Sequence, residues 1–260
     1  MTAAPHVAGI WRHPVKSLRG EALEAAEITP VGVAGDRCWG VRDLATGRIL
    51  TGRREPRLLM AASRLGDDGL PVITLPDGAV LDGLGPGVDA ALSGWLGHDV
   101  ALVAAEGDPG ARAEFFEDAT DDASRPLEFT MPPGRFVDAM PLHLLTLDSL
   151  RAGRALNDGD WDVARFRPNL LIEAGGDGWT EDGWLGRDVR VGAVGLRVEE
   201  GCTRCTMITR PQPGLPDDRD VFRAVARHHA ARFGVLARVT APGVISRGDP
   251  VEVGPGIKEA

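Results

Sequence analysis

Residues 199–211 read EEGCTRCTMITRP, and two of the three cysteines, Cys202 and Cys205, stand there at a C-x-x-C spacing. Upstream, Val189, Val191, Val194, Leu196 and Val198 alternate as in a β-strand, with a slip near Gly192. Downstream, PQPGLPDD (211–218) breaks any regular element. Two thiols are therefore expected where a strand gives way to a loop, a place where a scaffold often presents chemistry.

The spacing narrows what the thiols can do. A structural zinc site takes four protein ligands and C-x-x-C supplies two. The remaining cysteine is Cys38, and no second C-x-x-C or H-x-x-x-H exists to close a tetrahedron. A four-cysteine iron–sulfur cluster is excluded by number. A thioredoxin-like pair would open a helix, against the strand before this motif and the prolines after it. If the strand runs on through the motif, residues three apart face opposite sides, roughly 10 Å apart. One thiol would then face a ligand that is otherwise coordinated while the other packs. Two buried, inert cysteines remain the alternative.

A chain of 260 residues has room for one large domain or two of about 100–150. Its 34 glycines and 19 prolines, with few long helical patterns, predict a β-rich fold with many turns. No run of 18 apolar residues spans a membrane, and MTAAPHVAG is not a signal peptide. Three cysteines and no leader point to the reducing cytoplasm. A net charge of −9 argues against nucleic acid as a partner.

Against that acidic background the cations stand out. Only Lys16 and Lys258 are lysines among 29 basic residues, so Lys16 is either a solvated accident or a place needing a compact ammonium. It follows a strand over residues 7–11 and the turn at Pro14, with Ser17 beside it. Arg37, Arg42, Arg48, Arg53, Arg54 and Arg57 cluster in one short segment. They form either a charged sheet edge or an anion-binding wall. Residues 88–96 carry a helical pattern closed by Gly97, whereas residues 114–122 read as an acidic loop. A domain boundary near 125 divides the chain into 1–125 and 126–260. In the second half, Thr146 or Asp148 caps a helix, and residues 164–173 (ARFRPNLLIE) read as a strand. On an extended chain Arg167 and Asn169 share a face, as an edge ion pair or as ligands for a phosphate or polar heterocycle. A last helix is expected from Asp217 or Asp218 to Gly234, with His228 and His229 as surface or packing residues.

PVKS (14–17), GDRCW (35–39), TGRREPRL (51–58), RFRPN (165–169), EEGCTRC (199–205) and RGDPV (247–251) occur in this order across nearly the whole chain. Together they resemble the MOSC family, a MOSC N-terminal β-barrel domain followed by a MOSC domain, and within it the amidoxime-reducing components and their bacterial counterparts. The resemblance implies a mainly β (α+β) fold: a β-barrel-like domain, then a MOSC β-barrel with a few peripheral helices. A molybdenum cofactor (Mo-molybdopterin) would lie in a cleft between them. By position, Cys205 would be the metal ligand and catalytic residue. Lys16, Ser17 and Arg37 would hold the pterin's phosphate, and Arg167 and Asn169 the pterin or its phosphate. The implied activity is two-electron reduction of small N-hydroxylated compounds, with electrons from a separate ferredoxin, flavoprotein or cytochrome b5 type protein. A non-catalytic cofactor carrier or a sulfur-relay protein is the alternative. The chain departs from the pattern at Ala139-Met140, where relatives often place hydroxyl side chains.

Overall fold

The computed structural model describes residues 4–255. Its main sheet has eight strands, and their order shows how the chain is tied together. From edge to edge it runs Val251–Val253, Asp188–Val191, Val194–Thr203, Arg232–Ala241, Leu142–Thr146, Leu170–Glu173, His6–Arg12 and Glu21–Leu23. Every neighbouring pair is antiparallel except Leu142–Thr146 beside Leu170–Glu173. The first strand of the chain thus belongs to the sheet of the second half. In return, Gly243–Ser246 pairs with Ala25–Thr29 of the first half. Smaller sheets (Trp39–Asp43 with Val100–Ala104, and Ala62–Leu65, Pro71–Thr74, Val80–Asp82) build the rest of the N-terminal half. The fold is mainly β with few helices, as the glycine and proline content predicts.

Alternation sets which face is buried. Val189, Val191, Val194, Leu196 and Val198 all point into one core with Val7, Ile10, Leu142, Leu144 and Val235. Each such side chain contributes roughly 1.5–3 kcal/mol by leaving water. A second core, Val15, Leu18, Trp39, Leu58, Leu92 and Leu102 among others, holds the N-terminal half. An aromatic cluster packs behind the cysteine loop, with Phe166 and Phe233 stacked at 4.1 Å and Trp161 against both.

Several elements differ from the reading of the sequence, each for a local reason. The run 189–198 is two strands, because Gly192 (φ +56°) and Ala193 make a two-residue hairpin turn and Val191 pairs with Val194. Residues 112–116, which overlap the start of the expected acidic loop (114–122), form a strand, Arg112–Phe116, paired with Pro126–Thr130. The proposed boundary at 125 falls in this hairpin. Residues 164–173 are not one strand: Asp162 caps a short helix, Val163–Phe166, and the strand begins at Leu170. The last helix, Arg219–His229, starts at Asp218 as expected but stops at Ala230 (φ +48°), so Phe233 belongs to the next strand. His229 is a packing residue stacked 4.5 Å from Trp179. The helices Pro86–Leu96, ended by Gly97, and Leu147–Arg154, capped by Thr146, stand where their signals put them. Among the described residues no helix is long and apolar enough to cross a membrane.

Candidate functional site

A cleft of about 780 Å³ opens where the two halves meet. Lys16, Ser17, Arg37, Arg167, Asn169 and Cys205, widely separated in sequence, all line it. Three of these six hold a backbone conformation that L-residues avoid: Ser17 (φ +67°), Arg37 (φ +48°) and Arg167 (φ +54°). Among the described residues only five non-glycines do so. Left-handed backbone costs about 1–2 kcal/mol per residue, and such strain collects where a side chain must be aimed.

Each cation is placed by its own device. Lys16 follows the first strand, and its backbone N–H donates to the Trp39 carbonyl at 2.8 Å. Its Nζ donates to Asp138 Oδ1 at 2.6 Å and to the Phe136 carbonyl at 3.1 Å. Asp138 is exposed while Lys16 is buried; desolvation pushes the Asp138 carboxyl up, but Lys16 outweighs it and holds it below its ordinary value. Ser17 Oγ accepts the Gly52 N–H at 2.8 Å, which pins the 51–54 loop and leaves the hydroxyl proton to donate. Arg37 is held by Asp36, by Asn169 Oδ1 at 3.3 Å and by the Arg167 carbonyl at 3.4 Å.

Asn169 has no surface of its own. Its Oδ1 accepts from the His143 N–H at 3.1 Å and from Arg37, and its Nδ2 donates to the Trp11 carbonyl at 3.4 Å. It therefore orients Arg37 and stitches three strands together. Arg167 is not on an extended chain, as its sequence context suggests. It is the left-handed cap of Val163–Phe166. Its side chain is 6% exposed, and among the described residues its guanidinium forms no hydrogen bond or ion pair. Burial, then the neighbouring Arg37, press its pKa down to about 9, with Arg204 acting in the same direction. A buried cation without a partner is costly, and this one faces the cleft.

The cysteine loop corrects a second expectation. The strand ends at Thr203, and Cys205 stands at the N-cap of the single turn Thr206–Thr209. Both cysteines line the cleft, so the expectation that one would face it while the other packs away does not hold. Arg204 between them donates to Cys202 Sγ at 2.9 Å and to the Phe166 carbonyl at 2.9 Å. Burial pushes the Cys202 thiol up, but His143 and Arg204 outweigh it and bring the pKa down to about 6. Burial raises Cys205 instead. His143 lies on the expected apolar strand, and its composition gave no sign of this role. Its Nε2 donates to the Phe233 carbonyl at 3.2 Å. Arg204 was likewise missed, although its place between two cysteines was a signal.

The arginine cluster divides. Arg37 and Arg53 reach the cleft, whereas Arg42 pairs with Asp108, Arg48 with Glu114 and Glu128, Arg54 with Glu114, and Arg57 with Glu55. Arg53 donates to Asp122 Oδ1 at 3.0 Å and to the carbonyls of Asp118 and Asp121 at 2.8 Å. Thr206 Oγ1 donates to the same Asp122 at 2.5 Å. The acidic loop at the tip of the 112–130 hairpin is thereby fastened onto the cysteine loop, and Phe115, Phe116 and Phe129 form an apolar side of the cleft.

Does a molybdenum–pterin fit? Among the described residues no group of three or more His, Cys, Asp or Glu is placed to hold a metal. A metal here would bring ligands of its own, and soft thiolates suit one held by dithiolene sulfurs. Arg167, without a partner among the described residues, suits a phosphate together with Lys16, Ser17 and Arg37. The residues fit the group.

Known families and proteins match most of this chain. The family model described as the MOSC N-terminal beta barrel domain matches residues 4–106, and that described as the MOSC domain matches residues 133–252. The mitochondrial amidoxime-reducing component 1 of Mus musculus is 27% identical over 94% of this chain and 81% of its own length. The mitochondrial amidoxime reducing component 2 of Bos taurus is 25% identical over 94% and 82%. A molybdenum cofactor sulfurase 2 of Aedes aegypti is 28% identical over 40% of this chain and 14% of its own length. With the two domains matched in order around a shared cleft, the chain belongs to the MOSC-domain family and is homologous to the amidoxime-reducing components.

Proposed function

We propose that the protein binds a molybdenum cofactor in the cleft and reduces N-hydroxylated compounds, such as amidoximes or hydroxylamines, with electrons from a separate redox protein. The observation that carries this is Arg167, a buried guanidinium held in strained backbone, without a partner among the described residues, lining the same cationic cleft as the cysteines. Lys16, Ser17, Arg37 and Arg167 would hold the phosphate, Asn169 would fix Arg37, and Cys205 would ligate the metal as a thiolate. When bound, the cofactor would supply the two-electron reduction, the chemistry such groups carry for their proteins. The chain's part is to orient the group, to wall the substrate with Phe115, Phe116 and Phe129, and to hold the fastened hairpin over the cleft against water.

One observation favours a different reading, a sulfur relay or cofactor carrier. Cys202, with a pKa of about 6 beside Arg204, would be a thiolate and a nucleophile at neutral pH. Turnover separates the two. Cofactor-loaded protein with a reduced viologen dye should reduce benzamidoxime to benzamidine, and Cys205→Ser should lose at least a hundredfold. Fully loaded wild type that turns over no N-hydroxylated compound, yet hands its cofactor to an apo-enzyme, would establish the carrier.

A further inference from the structure

Behind Arg167, away from the thiols, lies a second cavity of about 150 Å³. Trp11, His13, Arg19, Val163, Arg167 and Gln212 line it. Four of these six carry polar side chains, and each has polar groups without a partner. Both ring nitrogens of His13, Nε of Arg19 and Oε1 of Gln212 are buried with no hydrogen bond among the described residues. The guanidinium of Arg167 likewise has none. His13 and Gln212 are only 5% and 4% exposed. Buried polar groups are nearly always satisfied, so this many orphans around one small space mark a ligand position.

The charge of the lining decides the ligand's class. Two guanidiniums face the cavity and no carboxylate lines it. Asp36, bonded to the His13 backbone, is engaged by that N–H and by Arg37. The Pro168 carbonyl favours a proton on His13, although burial and the positive Arg167 and Arg37 hold its pKa well below the usual value. A neutral imidazole has one N–H, which the Pro168 carbonyl draws, so His13 frames the cavity and is not counted among its donors. The Gln212 amide presents either its oxygen or its NH₂, since the two ends exchange by a flip. Donors therefore converge from three side chains, Arg19, Arg167 and Gln212. At ~30 Å³ of liquid volume per water, the space holds about five waters, or one small oxyanion with a water or two.

We infer that this cavity is a binding site for a small inorganic oxyanion of the phosphate or sulfate type, separate from the cleft and sharing only Arg167 with it. The site explains why a second guanidinium, Arg19, is directed toward an already cationic region.

Titration calorimetry with inorganic phosphate on the purified chain tests this. Arg19 lines only the small cavity and Lys16 only the cleft. The wild type should show a saturable site whose affinity falls at least tenfold in Arg19→Gln and persists in Lys16→Gln. Gln212→Leu, at a residue whose side chain makes no hydrogen bond among the described residues, should weaken the same site and serves if Arg19→Gln does not fold. Absence of saturable binding in the wild type would mean that the cavity holds water. Binding lost in Lys16→Gln and unchanged in Arg19→Gln or Gln212→Leu would place it all in the cleft; either result overturns the inference.

Discussion

Ser17, Arg37 and Arg167 hold their side chains at the cleft by accepting backbone that glycine would adopt freely. Arg167 shows the cost most directly, since its side chain forms no bond among the described residues that would offset the strain. Arg167→Gly should therefore stabilise the cofactor-free protein by about 1 kcal/mol, which is a melting temperature higher by roughly 2–4 °C for a chain of this size, while cofactor retention falls. A lower melting temperature without cofactor would show that Arg167 supports the fold instead. Cys202 offers a second test at this scale. With a folded pKa of about 6, below the ordinary thiol value, its contribution to stability is complete above the unfolded pKa. That contribution is lost as pH falls from about 9 through 6. In the cofactor-free protein the thiolate absorbance that Cys202→Ser removes should titrate near 6, and Arg204→Gln should move it upward. A midpoint near 8.5 in the wild type would contradict the arrangement. These pairings lie beyond local sequence. Arg167 and Asn169 could be singled out from RFRPN, but not the left-handed cap that aims one and buries the other. His143 looked like one more position of an apolar strand.

At the scale of elements, the tip of the hairpin Arg112–Phe116 and Pro126–Thr130 is fastened to the cysteine loop through the Asp122 carboxylate. Asp122 accepts from Arg53, Thr206 and Arg210, drawing together the first half, the cysteine loop and the hairpin tip. Asp122→Ala should free the tip at a cost of about 1–3 kcal/mol. Limited proteolysis within residues 117–125 should speed up, and bound cofactor should exchange faster. Unchanged cleavage and exchange would mean that Arg53, through the Asp118 and Asp121 carbonyls, holds the loop alone. Helices with clear caps, such as Leu147–Arg154 at Thr146, were legible in sequence because their signals are local. The hairpin was not, since a short strand reading RAEFF with an acidic tip resembles a linker until its partner strand is known. The turn at Gly192 was misread for a related reason. A two-residue reversal shifts the apolar phase by one position, as a bulge also does.

Across the whole molecule, strand exchange builds the cleft. His6–Arg12 enters the sheet of the second half and leads into Lys16, while Gly243–Ser246 returns to pair with Ala25–Thr29. Lys16 and Ser17 are thereby carried to within reach of Arg167 and Cys205, about 150 and 190 residues later in sequence. The six motifs made the family legible in order, and no local pattern could show that they converge. The central claim is that this convergence holds a molybdenum–pterin with Cys205 on the metal. Metal analysis with pterin fluorescence tests it most directly, on wild type and Cys205→Ser made in a cofactor-producing host. The account predicts about one molybdenum and one pterin per chain in the wild type, with the metal lost or its spectrum altered in the variant. No molybdenum in either protein, despite confirmed cofactor supply, would contradict it.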